Sequence, residues 1–310
     1  VFGHGLWLPD RRTMIGVTVL SVIELVLADK GDPGVPFTWL CFGSEGRREQ
    51  TLHTDQDNGI LFEARDAAEA ADIRQRLLPI AQQINQHLAA CGFTLCKGNI
   101  MAGNPELCLS RAEWARRFGA FIREATPENL LASTIYFDLR VVWGDEQGCA
   151  QLRRGILEQV ADNRLFQRMM ADNALRHRPP VGRFREFVLE RKGSDKATLD
   201  LKVQGLTPFV DGARLLALAN GVEANNTLER LRQLVALDVI EPLDGGAYEE
   251  AYHFIQQTRM QQHQLQTREN RPYSNRVDPD NLNQLDRRIL REALRQAQRL
   301  QSSLALRYQL

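Results

Sequence analysis

The stretch Cys41 to Phe62, CFGSEGRREQTLHTDQDNGILF, decides how the rest of the chain is read. A Gly-Ser pair, Gly43 and Ser44, is followed by a basic and polar run containing Arg47 and Arg48. Two aspartates separated by one residue, Asp55 and Asp57, then precede the apolar NGILF, residues 58–62. At the entry of a strand, side chains at i and i+2 share a face, which sets the two carboxylates about 6–7 Å apart along the backbone. On a helix they would diverge by roughly 200°. Carboxylates on one face repel unless solvent surrounds them or a cation lies between them.

Hard oxygen ligands of this kind suit Mg²⁺, which also accepts oxygens from substrate phosphates. The Gly-Ser follows a strand-like run and opens a short helix, where outward N–H groups favour an anion. Gly43 lets a phosphate approach with no Cβ in the way, and the Ser44 hydroxyl can donate to it. Arg47 or Arg48 can balance triphosphate charge. A triphosphate on one side and a metal-binding carboxylate pair on the other is the equipment for nucleotidyl transfer. Asp55 and Asp57 are thus candidate catalytic and metal-binding residues, and Gly43, Ser44, Arg47 and Arg48 candidate nucleotide-binding residues. A solvated acidic turn after a structural glycine is the plain alternative. The P-loop GxxxxGK[ST] and the dinucleotide GxGxxG are absent. An EF-hand loop starting at Asp55 fails at Gly59 and Ile60.

Outward from this stretch, residues 10–29 predict a helix ended by DKGDPGVP. FTWLCF (37–42) predicts a buried strand, residues 45–52 a short helix, and 58–62 the next strand. Residues 66–90 form a long helix by apolar spacing, ended at Cys91-Gly92, and FTLCKGNIM (93–101) predicts a third strand or strand pair. From Ser110 the pattern is helical. Pro127 to Trp143 reads as one helix, RHRPPVGRF (176–184) as a break, and helices follow over 206–219, 228–237, 248–266 and 284–307. Leu285, Ile289, Ala293, Leu294, Ala297, Leu300 and Leu304 mark the stripe of the last. The expected organisation is an N-terminal helix packing on the core (1–34), an α/β domain (35–146) and an all-α C-terminal domain (147–310).

The 310 residues suffice for about two domains. Lys plus Arg balances Asp plus Glu at 39 each, so no bulk charge draws nucleic acid or an acidic membrane. The most apolar run, Met14–Ala28, is shorter than the ~20 residues of a membrane span and contains Glu24. Five cysteines with no CxxC read as reduced thiols, so a cytoplasmic protein is expected. No signal peptide is visible, and a start at Val1 rather than Met suggests a fragment whose N-terminal part was removed. His53 reads as a loop residue.

FGSEGRREQTLHTDQDNGILF closely resembles the signature of polymerase-β-like nucleotidyltransferases, a Gly-Ser followed by Asp-x-Asp. Its wording resembles the bacterial nucleotidyltransferase domain found downstream of cyclic-nucleotide-binding and CBS-pair modules. That group is similar to PII uridylyltransferase and glutamine synthetase adenylyltransferase. The resemblance continues through CKGNIMAGNPE (96–106), YFDLRVVWGD (136–145) and LDLKVQGLTPFVDGARLLAL (199–218), so it covers nearly the whole chain. It implies a polymerase-β-like mixed sheet with helices, plus the helical domain. It also implies Mg²⁺, an NTP (ATP or UTP), an acceptor hydroxyl on a protein of the PII type or on a small molecule, and N-terminal regulatory modules.

On this resemblance Lys202 faces the nucleotide, although a solvated lysine at a helix start is the plain reading. Many superfamily members use a third carboxylate on a later strand. FTLCKGNIM has no acid, which leaves Asp138, Glu106 or none. With no third acid, the alternative is a silent module that senses NTP without turnover. The chain has no His-Asp dipeptide, so a uridylyl-removing phosphohydrolase is not within it.

Overall fold

Strand β1 (Thr38–Cys41) is buried at all four residues, and β2 (Asn58–Phe62) at all five. Continuous apolar runs of this kind belong to interior strands covered on both faces. The computed structural model of the chain, described over residues 11–52, 54–182, 187–189 and 198–310, places them so. The sheet order is β3-β2-β1-β4, with β3 at Cys108–Ser110 and β4 at Arg140–Trp143. β1 runs antiparallel to β2 and to β4, with Cys41 opposite both Asn58 and Arg140. β2 and β3 are parallel. The sheet is therefore mixed.

One face carries Trp39, Cys41, Ile60 and Phe62, which pack with Val19, Val22, Ile23 and Val26 of α1 (Arg11–Lys30). Ile73, Leu77, Ala81 and Ile84 of α3 (Ala67–Ala90) complete that core. Asp66 caps α3 by accepting from the Glu69 amide at 2.9 Å. On the other face Phe42 meets Trp114 of α4 (Arg111–Arg123) at 5.6 Å and Tyr136 of α5 (Pro127–Tyr136) at 5.1 Å between ring centroids. The Trp114 indole donates to the Ile60 carbonyl at 2.9 Å, so its buried polar edge is satisfied.

Several sequence expectations are corrected. Residues 45–52 are not a helix: α2 spans only Gly43–Gly46, and Arg48 turns the chain at φ +58°. FTLCKGNIM is not a strand. It pairs through one isolated bridge, Asp55 to Thr94, and through the Asn58 N–H on the Ile100 carbonyl, with turns at Lys97-Gly98 and at Asn99, φ +54°. The strand beside β2 is Cys108–Ser110. The helix expected over 127–143 ends at Tyr136, and the β-branched and aromatic RVVW forms β4 instead. Leu285 and Ile289 do not join the buried stripe of the last helix; they are 66% and 38% exposed.

The chain divides into two compact units, Val1–Ala120 with Ala132–Gly155, and Phe121–Leu131 with Ile156–Leu310. The second contains α6 (Glu146–Ala161) from residue 156 onward, α7 (Arg164–Ala174), α8 (Thr207–Ala219), α9 (Thr227–Ala236), α10 (Pro242–Arg268) and α11 (Gln284–Tyr308). Helix α8 is buried from Pro208 to Leu218 and forms the centre of that unit. A Cβ on Gly212 would lie 2.9 Å from Leu300, so α8 and α11 pack with no side chain between them at that point. A two-residue ladder of β5 (Leu199–Asp200) with β6 (Arg276–Val277) is added to the expected all-helical pattern. The expected break is non-helical over 176–182; Arg183 and Phe184 lie outside the described residues.

Candidate active site

In the α/β unit the sheet brings the two halves of the opening motif together. Phe42 follows β1 and its amide donates to the Asp57 carbonyl at 2.8 Å, which extends the β1–β2 ladder one residue beyond the strands. Gly43 follows at φ +53°, a left-handed conformation that disfavours any side chain. A Cβ built on Gly43 would sit 3.3 Å from the Asp57 carboxylate oxygen Oδ2. The aspartate thus lies against the bare backbone of the Gly-Ser turn. Ser44 is half-buried and follows directly. The first N–H groups of a helical turn lack intrahelical partners, so this is backbone that can face an anion.

Asp55 is exposed and Asp57 half-buried, while the interleaved Gln56 and Asn58 are each 1% exposed. The alternation is that of a strand, with aspartates to one side and amides to the other. Asn85 of α3 donates to Gln56 Oε1 at 2.8 Å and to Asn58 Oδ1 at 3.0 Å. Gln56 donates to the Asn85 and Phe93 carbonyls, and Asn58 accepts from the Ala102 amide. These three amides were not among the expected functional residues. Gln56 and Asn58 were signalled by the strict alternation Asp-Gln-Asp-Asn, whereas Asn85 on α3 carried no such signal.

Arg47 is committed within the unit. It donates to Glu49 at 2.7 Å and to Asp138 at 2.5 Å, and Asp138 is fully buried. Asp138 stands ahead of β4 rather than on a helix. Its backbone carbonyl packs on Gly46, where a Cβ would come within 1.7 Å of the oxygen. Arg48 is exposed. Glu106, the other candidate third acid, accepts from Arg117 through its carbonyl at 2.9 Å and its carboxylate at 3.3 Å. Arg117 lies 5.6 Å from the centroid of the Tyr136 ring. Among the described residues no three His, Cys, Asp or Glu side chains converge as metal ligands. His53 lies outside the described residues.

Glu45, the third residue of the turn, is buried with Oε1 unpartnered. Burial pushes its carboxyl above the ordinary range, and the Asp57 charge adds to the rise against Arg140 and the Cys41 thiol. Burial likewise raises the Cys41 thiol, the Cys96 thiol and the Tyr136 hydroxyl, and in each the Asp57 charge adds to the effect. Lys202 lies in the helical unit, exposed in a single π-helical segment, Leu201–Leu206, that Asp200 caps through the Lys202 and Val203 amides.

Residues 14–128 match the family model described as "Putative nucleotidyltransferase DUF294". Residues 164–308 match the model described as "Putative nucleotidyltransferase substrate binding domain". No curated protein matches the chain.

Proposed function

Since this chain belongs to the DUF294 nucleotidyltransferase family, with the family's substrate binding domain following the first domain along the sequence, we propose that it moves a nucleoside monophosphate from an NTP to an acceptor hydroxyl. The observation that carries the reading is the 3.3 Å approach of Asp57 Oδ2 to the Cβ position of Gly43. A phosphate-binding turn and a metal-binding carboxylate are useful together only if a phosphate can lie against both.

The donor set fits Mg²⁺. Two carboxylates supply hard oxygens, one of them exposed, which leaves positions for phosphate oxygens. Asp55 and Asp57 would hold the ion, and bound there it neutralises phosphate charge and stabilises the departing pyrophosphate. The rest is done by the chain's own groups. Gly43 and Ser44 cradle the phosphates. Arg48, exposed beside the turn, meets triphosphate charge. Arg47 acts from behind, tying the turn to Asp138 and Glu49. In the transfer the acceptor oxygen bonds to the α-phosphorus as the bond to the bridging oxygen breaks and pyrophosphate leaves.

ATP or UTP is the donor in this reading. By family likeness the acceptor is a PII-type protein or a small molecule, and regulatory modules precede the domain. By family likeness Lys202 is a nucleotide-binding residue and the protein works in the cytoplasm. No described helix is long and apolar enough to cross a membrane. A second reading, an NTP sensor without turnover, is favoured by one observation: no third carboxylate joins the pair among the described residues. Calorimetric titration of ATP and UTP in Mg²⁺ and in EDTA tests the part common to both. Binding several-fold tighter with Mg²⁺ supports the metal pair, because phosphates and aspartates otherwise repel. Equal affinity in both buffers would remove it.

A further inference from the structure

The residues between and behind the aspartates form a closed set of amides. Gln56, Asn58 and Asn85 are 1%, 1% and 4% exposed, so every polar atom among them must find a partner inside the protein. Asn85 is the hub. Its Nδ2 donates to both interleaved residues, its carbonyl accepts from Gln56 at 2.9 Å, and its Oδ1 accepts from the Gly103 amide at 2.9 Å. The Ala102 amide closes the set on Asn58 Oδ1 at 2.8 Å.

Two segments are thereby held by one side chain of α3. The first is the Asp55–Asn58 run. The second is the loop of residues 94–103, which is also pinned by the Gln56 amide on the Thr94 carbonyl at 2.9 Å and the Asn58 amide on the Ile100 carbonyl at 3.1 Å. Because strand side chains alternate, fixing the two amides on the inner side fixes the direction of both aspartates on the outer side. A slip of one residue would exchange carboxylates for amides. A buried apolar pair at these positions would favour the same register through burial alone. The amides strengthen that choice, since a slipped strand would bury Asp55 and Asp57 against Asn85 and leave donors and acceptors mismatched.

We infer that Asn85, which carries no charge and lies behind the sheet, is the positioning residue of the Asp55/Asp57 pair, acting through Gln56 and Asn58. The inference rests on the metal-pair reading above and adds to it the residue that sets the pair's geometry. Groups bonded directly to metal ligands change metal affinity by about 10–100-fold when removed; Asn85 acts one residue further out, so the low end of that range is expected.

The test uses two variants of the full chain. Asn85→Asp keeps shape and the acceptor for Gly103 but loses both donations. Gly103→Ala is a milder push on the same group, since its Cβ would stand 3.1 Å from Asn85 Oδ1 and 2.9 Å from Gln82 Cγ. ATP and UTP binding is measured by calorimetry across a MgCl₂ series, alongside the melting temperature. In folded variant protein the Mg²⁺ midpoint should rise about tenfold, while affinity at saturating Mg²⁺ stays near that of the wild type. A lowered melting temperature with an unchanged midpoint in Gly103→Ala, or in folded Asn85→Asp, would make the network a packing device and overturn the inference. If the wild type itself shows no Mg²⁺ dependence, the metal pair falls, and the positioning role falls with it.

Discussion

The two glycines of the Gly-Ser turn should fail in different ways when given a methyl group. Gly43→Ala places a Cβ in a left-handed conformation, φ +53°, which costs about 1–2 kcal/mol. The new methyl stands 3.3 Å from Asp57 Oδ2 and 4.0 Å from an Ile135 methyl, so only side-chain atoms have to give, by a few tenths of an ångström. The fold should survive, but the carboxylate and the phosphate surface are both disturbed. A 1 Å misplacement is worth about 100-fold in rate, so this smaller shift should lower transfer about tenfold. Gly46→Ala instead drives a methyl to 1.7 Å from the Asp138 carbonyl oxygen and 3.0 Å from that of Cys41. Both obstacles are backbone, and α2 must move away from the sheet, at a cost of about 3 kcal/mol or more. Urea unfolding followed by tryptophan emission reads the difference, because Trp39 and Trp114 are fully buried in the α/β unit. Equal destabilisation by the two substitutions, or wild-type transfer by Gly43→Ala, would refute the assigned roles.

Arg47→Ala should destabilise the α/β unit by about 3–5 kcal/mol, because it removes the guanidinium paired with the buried Asp138. Arg48→Ala, at an exposed position, should stay within about 0.5 kcal/mol in the same urea titration but weaken triphosphate binding. Glu45 has a folded-state pKa above its ordinary 4.5, so the native state keeps the proton longer; the stability it contributes is complete below that value and is lost as pH rises through the folded pKa. Glu45→Gln should therefore gain on the wild type steadily as the pH of the melt is raised from 4.5, and a constant difference would contradict this. Asp55→Asn and Asp57→Asn should each cut transfer by at least ~100-fold while melting at or above the wild-type temperature, since like-charge repulsion is relieved. The double variant should be little worse than either single one, and additive losses would show that the pair does not act as a unit.

The legibility of this chain followed the range of the forces involved. Local signals carried well: the apolar runs of β1 and β2 and the 3.6-residue spacing of α3 form where the pattern places them. Expectations failed where a distant partner decides. FTLCKGNIM has strand-like composition, yet its ends are claimed by Gln56 and Asn58, so it arches instead. The run from Pro127 looks helical through Trp143, but the free edge of β1 takes Arg140–Trp143 as a strand. Arg47 and Arg48 are indistinguishable in sequence, and only burial of Asp138 separates the structural arginine from the exposed one. The candidate site was legible as Gly-Ser and Asp-x-Asp because those residues are compressed into one hairpin. Its support was not, since Asn85 is 27 residues from Asn58.

The most direct test is transfer itself. The chain is incubated with Mg²⁺ and α-labelled ATP or UTP, with and without a cell lysate as the source of acceptor, beside Asp57→Asn. The account predicts a labelled acceptor with the wild type and a loss of label of at least ~100-fold with Asp57→Asn at unchanged melting temperature. Label that persists in Asp57→Asn, or a wild type that binds Mg²⁺ and nucleotide yet transfers no label to any acceptor, would contradict it.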